Sequence, residues 1–259
     1  MTRSSQPSAV LAELLPDELR WIDLRGLLIS GRCDIWAESK TEDGFVARSW
    51  DYPFAALCGD PSPDLLLSAV AKGREAIKGQ YLLDEWQLLA PPESRATVEA
   101  ALPDWRSNCI HLLRWEGSLD QPTQAFEGEI VLLRDGHRQE SLSLEHVPET
   151  TRQELTLDWV SNRPMSVAIV DSLPVSFCYA AFTTERLWDV SIETLRPHRR
   201  RGLAAATVLR LTRHMAELGK IPAWGAMDNN PASLGLAAKL GFVHDSQVDG
   251  WFEQRPKAP

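Results

Sequence analysis

A chain of 259 residues with 44% hydrophobic content is long enough for two small domains, or for one domain with a large extension. Its formal charge of -9 argues against a general phosphate-tracking nucleic-acid binder, whose domain would be basic, so any anion site has to be local. The four cysteines, Cys33, Cys58, Cys109 and Cys178, stand far apart with no His partner at metal spacing, which points to reduced thiols and away from a disulfide framework or a metal site.

No run approaches the ~18 apolar residues that a bilayer crossing needs. The opening MTRSSQPSAVLAELLPDEL has acidic residues where a signal peptide would have its apolar stretch. A cytoplasmic protein without nucleic-acid or membrane partners is expected.

From residue 8 to 29, Val10, Leu14, Leu15, Leu19 and Ile22 recur at helical spacing around Pro16, which predicts one or two short helices. Three β-rich stretches follow at 33–38, 44–50 and 54–58, separated by SKTED and DYP, and read as a meander. A helix is predicted near 63–78, an apolar stretch at 82–89, a helix opened by PPES, and a strand at 109–115. The polar segment 116–125 is the expected linker, giving domains at 1–125 and 126–259. Trp36, Trp50 and Trp86 are the first half's candidate cleft liners, with core packing the competing role.

The second half opens with apolar material near 129–133 and 142–147, then a helix at about 149–160. Strands are predicted at 165–170, 175–183 and 187–195, with DSLP and TER as turns. After RPHRRRG comes a helix with Ala204, Val208, Leu211, Met215 and Leu218 as its core-facing stripe, and with His214 on its polar side. A buried strand at 222–227, a helix capped by Asn230 and Pro231, and a last strand complete the chain, with a disordered tail at 253–259. The class is α/β with a mixed sheet, and in such folds ligands bind beyond the end of a strand.

The chemistry concentrates in Arg199, Arg200, Arg201, Gly202, Leu203 and Ala204, between a strand and a helix. Gly202 allows close backbone approach, the helix start offers unpaired N–H groups, and the arginines supply forked donors for phosphates. A solvated basic turn is the bland alternative. Asp189 and Glu193 lie four apart on the preceding strand, so both face one side unless a bulge intervenes.

With Arg199, Gly202 and Ala204 in place, and Asn230 about a dozen residues before Gly241-Phe242, the segment 164–253 resembles the GNAT superfamily of acetyl-CoA-dependent N-acetyltransferases. The resemblance implies acetyl-CoA as cosubstrate and transfer of acetyl to a primary amine, which has to lose a proton to attack, so either Glu193 or Asp189 is a candidate base; no metal is expected, and a small-molecule acceptor is favoured over a protein. It implies that backbone groups from Leu195 through Ala204 bind the cofactor, with the Leu195 N–H polarising the thioester carbonyl, and that Asn230, with Ser233 as a lesser candidate, lies near the pantetheine arm. Many relatives carry a Tyr seven residues after the Asn that protonates the leaving thiolate; here that residue is Ala237, so the acid comes from elsewhere, with Tyr179 the one Tyr of this half, or from water, or the domain is a non-catalytic acyl-CoA sensor. The two halves share an element order, and FAALCGDPSPDLLLSAV takes the place of SIETLRPHRRRGLAAATV. A degenerate GNAT-like copy without cofactor is therefore the preferred reading of the first half, with an unrelated α/β extension as the alternative; either could supply one wall of the acceptor cleft.

Overall fold

Pro16 divides the first apolar stretch as its missing N–H requires. Helix α1 (Ser8–Glu13) stops before it, a 3-10 turn follows at Leu19–Trp21, and α2 (Ile22–Ser30) ends on Gly31 with φ 67°. The buried Arg25 guanidinium donates to the Ala12 and Leu15 carbonyls, supplying donors to acceptors that the end of α1 leaves without a helical partner. The structure is a computed structural model and describes residues 2–3, 8–38, 44–77, 86–122, 125–134, 142–157, 160 and 163–253. The turn expected at 39–43 lies outside these residues, as does the expected tail apart from Glu253.

The chain forms two units, Met1–Leu112 with Ala226–Asn229 and Ser246–Pro259, and Leu113–Gly225 with Asn230–Asp245. The first contains β1 (Thr2–Arg3), β2 (Cys33–Ala37), β3 (Gly44–Ser49), β4 (Phe54–Gly59), α3 (Pro63–Ile77), β5 (Gln87–Ala90), α4 (Arg95–Ala101) and most of β6 (Trp105–Trp115). β1 to β4 pair antiparallel in chain order and β5 is parallel to β4. β5 also pairs antiparallel with the end of the last strand, at Asp249–Phe252. Val46, Leu57, Leu88 and Trp251 form a core with Leu66 and Val70 of α3 and Val98 of α4. Gly73 lets α3 approach closely, because a Cβ there would stand 2.5 Å from the Trp86 ring. Trp86 is a core residue, Trp36 packs on the same core, and Trp50 is exposed.

At the start of α3, Ser62 Oγ accepts the Leu65 N–H at 3.3 Å and Pro63 stands at the first helical position. This helix start is therefore capped by its own chain.

The second unit contains β7 (Glu129–Leu133), α5 (Glu149–Thr156), β8 (Met165–Val170), β9 (Leu173–Thr183), β10 (Leu187–Thr194), α6 (Leu203–Glu217), most of β11 (Ile221–Met227), α7 (Pro231–Lys239) and the start of β12 (Phe242–Glu253). Strands β7 to β10 are antiparallel in chain order, and β11 joins β10 in parallel through the α6 crossover. The stretch 116–122 is tied down where a free linker was expected. Trp115 Nε1 donates to the Leu240 carbonyl at 3.0 Å, Gln121 Nε2 to that of Lys239 at 2.7 Å, and Arg213 Nε to that of Leu119 at 2.8 Å. The carbonyls at the end of α7 lack helical partners, which makes them natural acceptors for this segment.

The α6 stripe differs from expectation at both ends. Val208, Leu211 and Met215 are buried, but Leu218 lies past the helix and is exposed, while Ala204 lines a cavity. His214 is buried where a polar face was expected, because the helix is covered over a wider arc than one stripe; Thr207 and Thr212 on that arc donate back to the Leu203 and Val208 carbonyls.

Candidate active site

The site begins where two parallel strands part. β10 pairs with β11 only from Leu187↔Ile221 to Asp189↔Ala223, whereas its pairing with β9 continues to Thr194↔Ser176. The Leu195 N–H donates to the Val175 carbonyl at 2.9 Å. Antiparallel pairing alternates, so Glu193 and Ser191 also direct their amides to β9, and the N–H groups of Ile192 and Thr194 point to the edge that β11 has left. The Leu195 amide expected as the carbonyl-polarising donor is thus already used, and the donors on the open edge are one residue out of phase with it.

Beyond β10 a 3-10 turn, Arg196–His198, leads into the arginine loop. Arg200 at φ 63° and Gly202 at φ 81° are both left-handed, a conformation natural for glycine and uncommon for arginine. The double reversal turns the chain into α6, which starts with no side-chain cap; its first return hydrogen bond is from Ala206 N–H to the Gly202 carbonyl. The amides of Leu203, Ala204 and Ala205 precede that bond and form a cationic pole for an anion.

The opposite wall is the start of α7. Asn230 caps it, its Oδ1 accepting the Ser233 N–H at 3.1 Å, and Ser233 Oγ accepts the Trp224 indole N–H at 2.9 Å. The strand, the loop and both helix starts enclose a cavity of about 460 Å³ lined by Ile192, Glu193, Thr194, Arg199, Arg200, Gly202, Leu203, Ala204, Asn230 and Ser233, among others. Arg201, Leu195, Asp189 and Tyr179 do not line it. Arg201 Nη1 lies 3.3 Å from His198 Nδ1, and Leu195 is buried in the unit's core.

Two of the expected site residues contact each other. Arg199 Nη2 donates to Glu193 Oε1 at 3.0 Å, and its Nε donates to the Thr194 carbonyl at 2.8 Å. Asp189 sits in the register shift between Trp188 and Val190, where β9 advances three residues against two, and it still faces Ala223 of β11. The buried Tyr179 donates its hydroxyl proton to Glu154 Oε1, so its O–H is directed at α5. Ala237 is fully buried and puts no phenol in the cavity.

Glu154, the partner of Tyr179, was not singled out in the sequence. Burial pushes its carboxyl above the usual range, the Tyr179 hydrogen bond opposes this, and the negative charge of Glu193 adds to it. A tyrosine on a buried strand implies a hydroxyl partner, but nothing in the polar run ETTRQELT marks Glu154 as that partner.

Residues 166–250 match the family model described as GNAT acetyltransferase. No protein of curated function matches the chain in sequence. Solved structures share the fold. A GCN5-related N-acetyltransferase-like protein from Streptococcus suis superposes with a TM-score of 0.66 at 18% identity, covering 96% of this chain and 98% of that one. A GCN5-related N-acetyltransferase from Kribbella flavida gives a TM-score of 0.58 at 14% identity, covering 98% of each chain. A tandem GNAT protein from the clavulanic acid biosynthesis pathway gives 0.57 at 17% identity, covering 97% of this chain and 94% of that one. Residues 166–250 are thus a GNAT acetyltransferase domain, set in a chain with the two-part fold of tandem GNAT proteins.

Proposed function

We propose that the second unit transfers an acetyl group from acetyl-CoA to the primary amine of a small-molecule acceptor. The observation that carries this reading is the meeting, in one cavity, of an uncapped helix start, two arginines and a strand edge left open by its neighbour. When bound, acetyl-CoA supplies an activated thioester. The amides of Leu203, Ala204 and Ala205, with Arg199 and Arg200, hold its pyrophosphate, and Arg201 adds positive charge to the loop. The Ile192 and Thr194 amides bind the pantetheine arm as a paired strand would, and one of them polarises the thioester carbonyl. Asn230 and Ser233 flank the arm. Glu193 lines the cavity wall as a carboxylate held by Arg199, and the attacking amine still has to lose a proton to a base. With acetyl-CoA as donor, the protein works in the cytoplasm.

The first unit is a GNAT-like copy that has lost cofactor binding. Where α6 leaves its first amides to an anion, α3 is capped by Ser62, and Asp60 stands beside it hydrogen-bonded to Thr97. An anion there would meet a carboxylate and a cap already in use.

A non-catalytic acyl-CoA-binding protein is the second reading, favoured by the buried Ala237 at the position that relatives fill with tyrosine. Calorimetric titration of acetyl-CoA followed by thiol-release assays over a panel of amines separates the two. Binding with an accepted amine supports the enzyme, binding without turnover supports the second reading, and no binding removes both.

A further inference from the structure

We infer that Glu154, held by the hydroxyl of Tyr179, is the carboxylate that takes the proton from the acceptor's ammonium group. The inference rests on the acetyl-transfer reading and assigns to it a residue on α5, outside the strand that carries the other two acids.

Those two acids are poorly placed to do this alone. Glu193 is engaged by Arg199, itself anchored on the Thr194 carbonyl. Asp189 lies in the part of β10 still closed by β11. Glu154 does not line the cavity of the arginine loop; it approaches β10 through Tyr179, which stands opposite Ser191. Tyr179 stands opposite Ser191 and Phe177 opposite Glu193, and residues two apart on a strand share a face. Tyr179, Ser191 and Glu193 therefore project from one face of the sheet, and Glu154 meets Tyr179 on that face. The Glu193 charge is close enough to act on Glu154. Among the described residues, Glu154 Oε1 accepts the phenol proton and no protein donor to Oε2 is found, which leaves an oxygen for substrate. Glu154 keeps partial exposure, so a bound proton has a way out to solvent.

The step balances as follows. The acceptor's ammonium gives one N–H proton to Glu154 Oε2, and the freed nitrogen lone pair forms the N–C bond to the acetyl carbon. The C–S bond breaks with its electron pair on sulfur, the sulfur takes one proton, the product nitrogen loses one, and Glu154 returns its own to water. One proton is released overall. A carboxylate held above its usual range by burial is a stronger base at neutral pH than an ordinary one.

The test compares wild type, Glu154→Gln and Tyr179→Phe by calorimetry with acetyl-CoA and by thiol release across pH 5 to 9 with an amine that wild type accepts. Glutamine keeps the shape of the side chain and an oxygen for the phenol, so acetyl-CoA affinity is expected within about twofold of wild type. Its kcat is expected to fall by roughly 10²–10⁴, with loss of the acid limb of the profile. Phenylalanine removes the hydrogen bond that favours the charged carboxylate, so in Tyr179→Phe the acid limb moves to higher pH, a directional change that a merely structural role would not produce. Wild-type kcat and an intact acid limb in Glu154→Gln, or an unmoved limb in Tyr179→Phe, overturn the assignment while leaving acetyl transfer standing. Failure of wild type to bind acetyl-CoA, or to accept any amine, overturns it together with the reading beneath it.

Discussion

Replacing Gly202 separates the two ways in which this position serves an anion. Its φ of 81° lies in the left-handed region, where an alanine costs about 1–2 kcal/mol. For a chain of this size each kcal/mol lowers Tm by roughly 2–4 °C, so Gly202→Ala is expected to melt about 2–8 °C lower. Part of that strain is relieved by twisting the loop, which misdirects the Leu203 and Ala204 amides and weakens acetyl-CoA binding. Gly202→Asp adds a negative charge at the cavity wall. At about 5 Å, its repulsion with each phosphate charge is ~1 kcal/mol in a water-like medium and ~3 kcal/mol at an effective dielectric of 20. Two phosphate charges then give about 2–6 kcal/mol, a loss of at least ~30-fold beyond that of the alanine variant. Differential scanning calorimetry and titration of acetyl-CoA into both variants measure the two effects separately. Equal acetyl-CoA affinities for the alanine and aspartate variants would refute the placement of the pyrophosphate at this loop.

Two further outcomes concern stability. Ser233→Ala leaves the buried Trp224 indole N–H without its 2.9 Å acceptor, which is expected to cost about 1–3 kcal/mol in urea unfolding. Trp224→Phe in the alanine background should then cost less than in wild type; additive losses would show that the hydrogen bond contributes nothing. In the first unit, burial pushes the Asp23 carboxyl up to about 7 from its ordinary 3.8. Between these values the folded protein holds a proton that the unfolded chain has released, so raising pH through this window favours unfolding. Wild-type stability should therefore fall from about pH 4 to about pH 7 relative to Asp23→Asn, which has no such proton to hold; urea midpoints at both ends of the window that move in parallel would contradict this.

The elements themselves were legible because their signals are local. Pro16 broke the first helix, apolar stretches between turn segments marked β8 to β10, and Gly202 with Asn230 marked the starts of α6 and α7. Arg199, Arg200, Gly202, Asn230 and Ser233 line one cavity; the local signals marked the arginine loop and the helix starts, and it was the family resemblance that brought Asn230 and Ser233 to the same site. What failed depended on packing. Leu218 continued the helical period but lay beyond the last turn, and His214 looked like a surface residue on a helix covered more widely than one stripe.

The phase of β10 shows why the proposed reacting groups were harder to read than the arginine loop. Which of its amides face the gap is decided by pairing with β9, and the bulge opposite Asp189 changes the count midway. Leu195, the residue nearest the loop, therefore turns its amide to Val175, and the two residues that turn theirs outward carry side chains of no evident chemistry, Ile192 and Thr194. The same dependence hid Glu154, since its partner Tyr179 lies 25 residues further along the chain and only the folded sheet brings the pair beside Glu193. A backbone donor needs no particular side chain, and a base can come from any element that reaches the acceptor. Neither has to leave a mark in the sequence of the strand where the chemistry takes place.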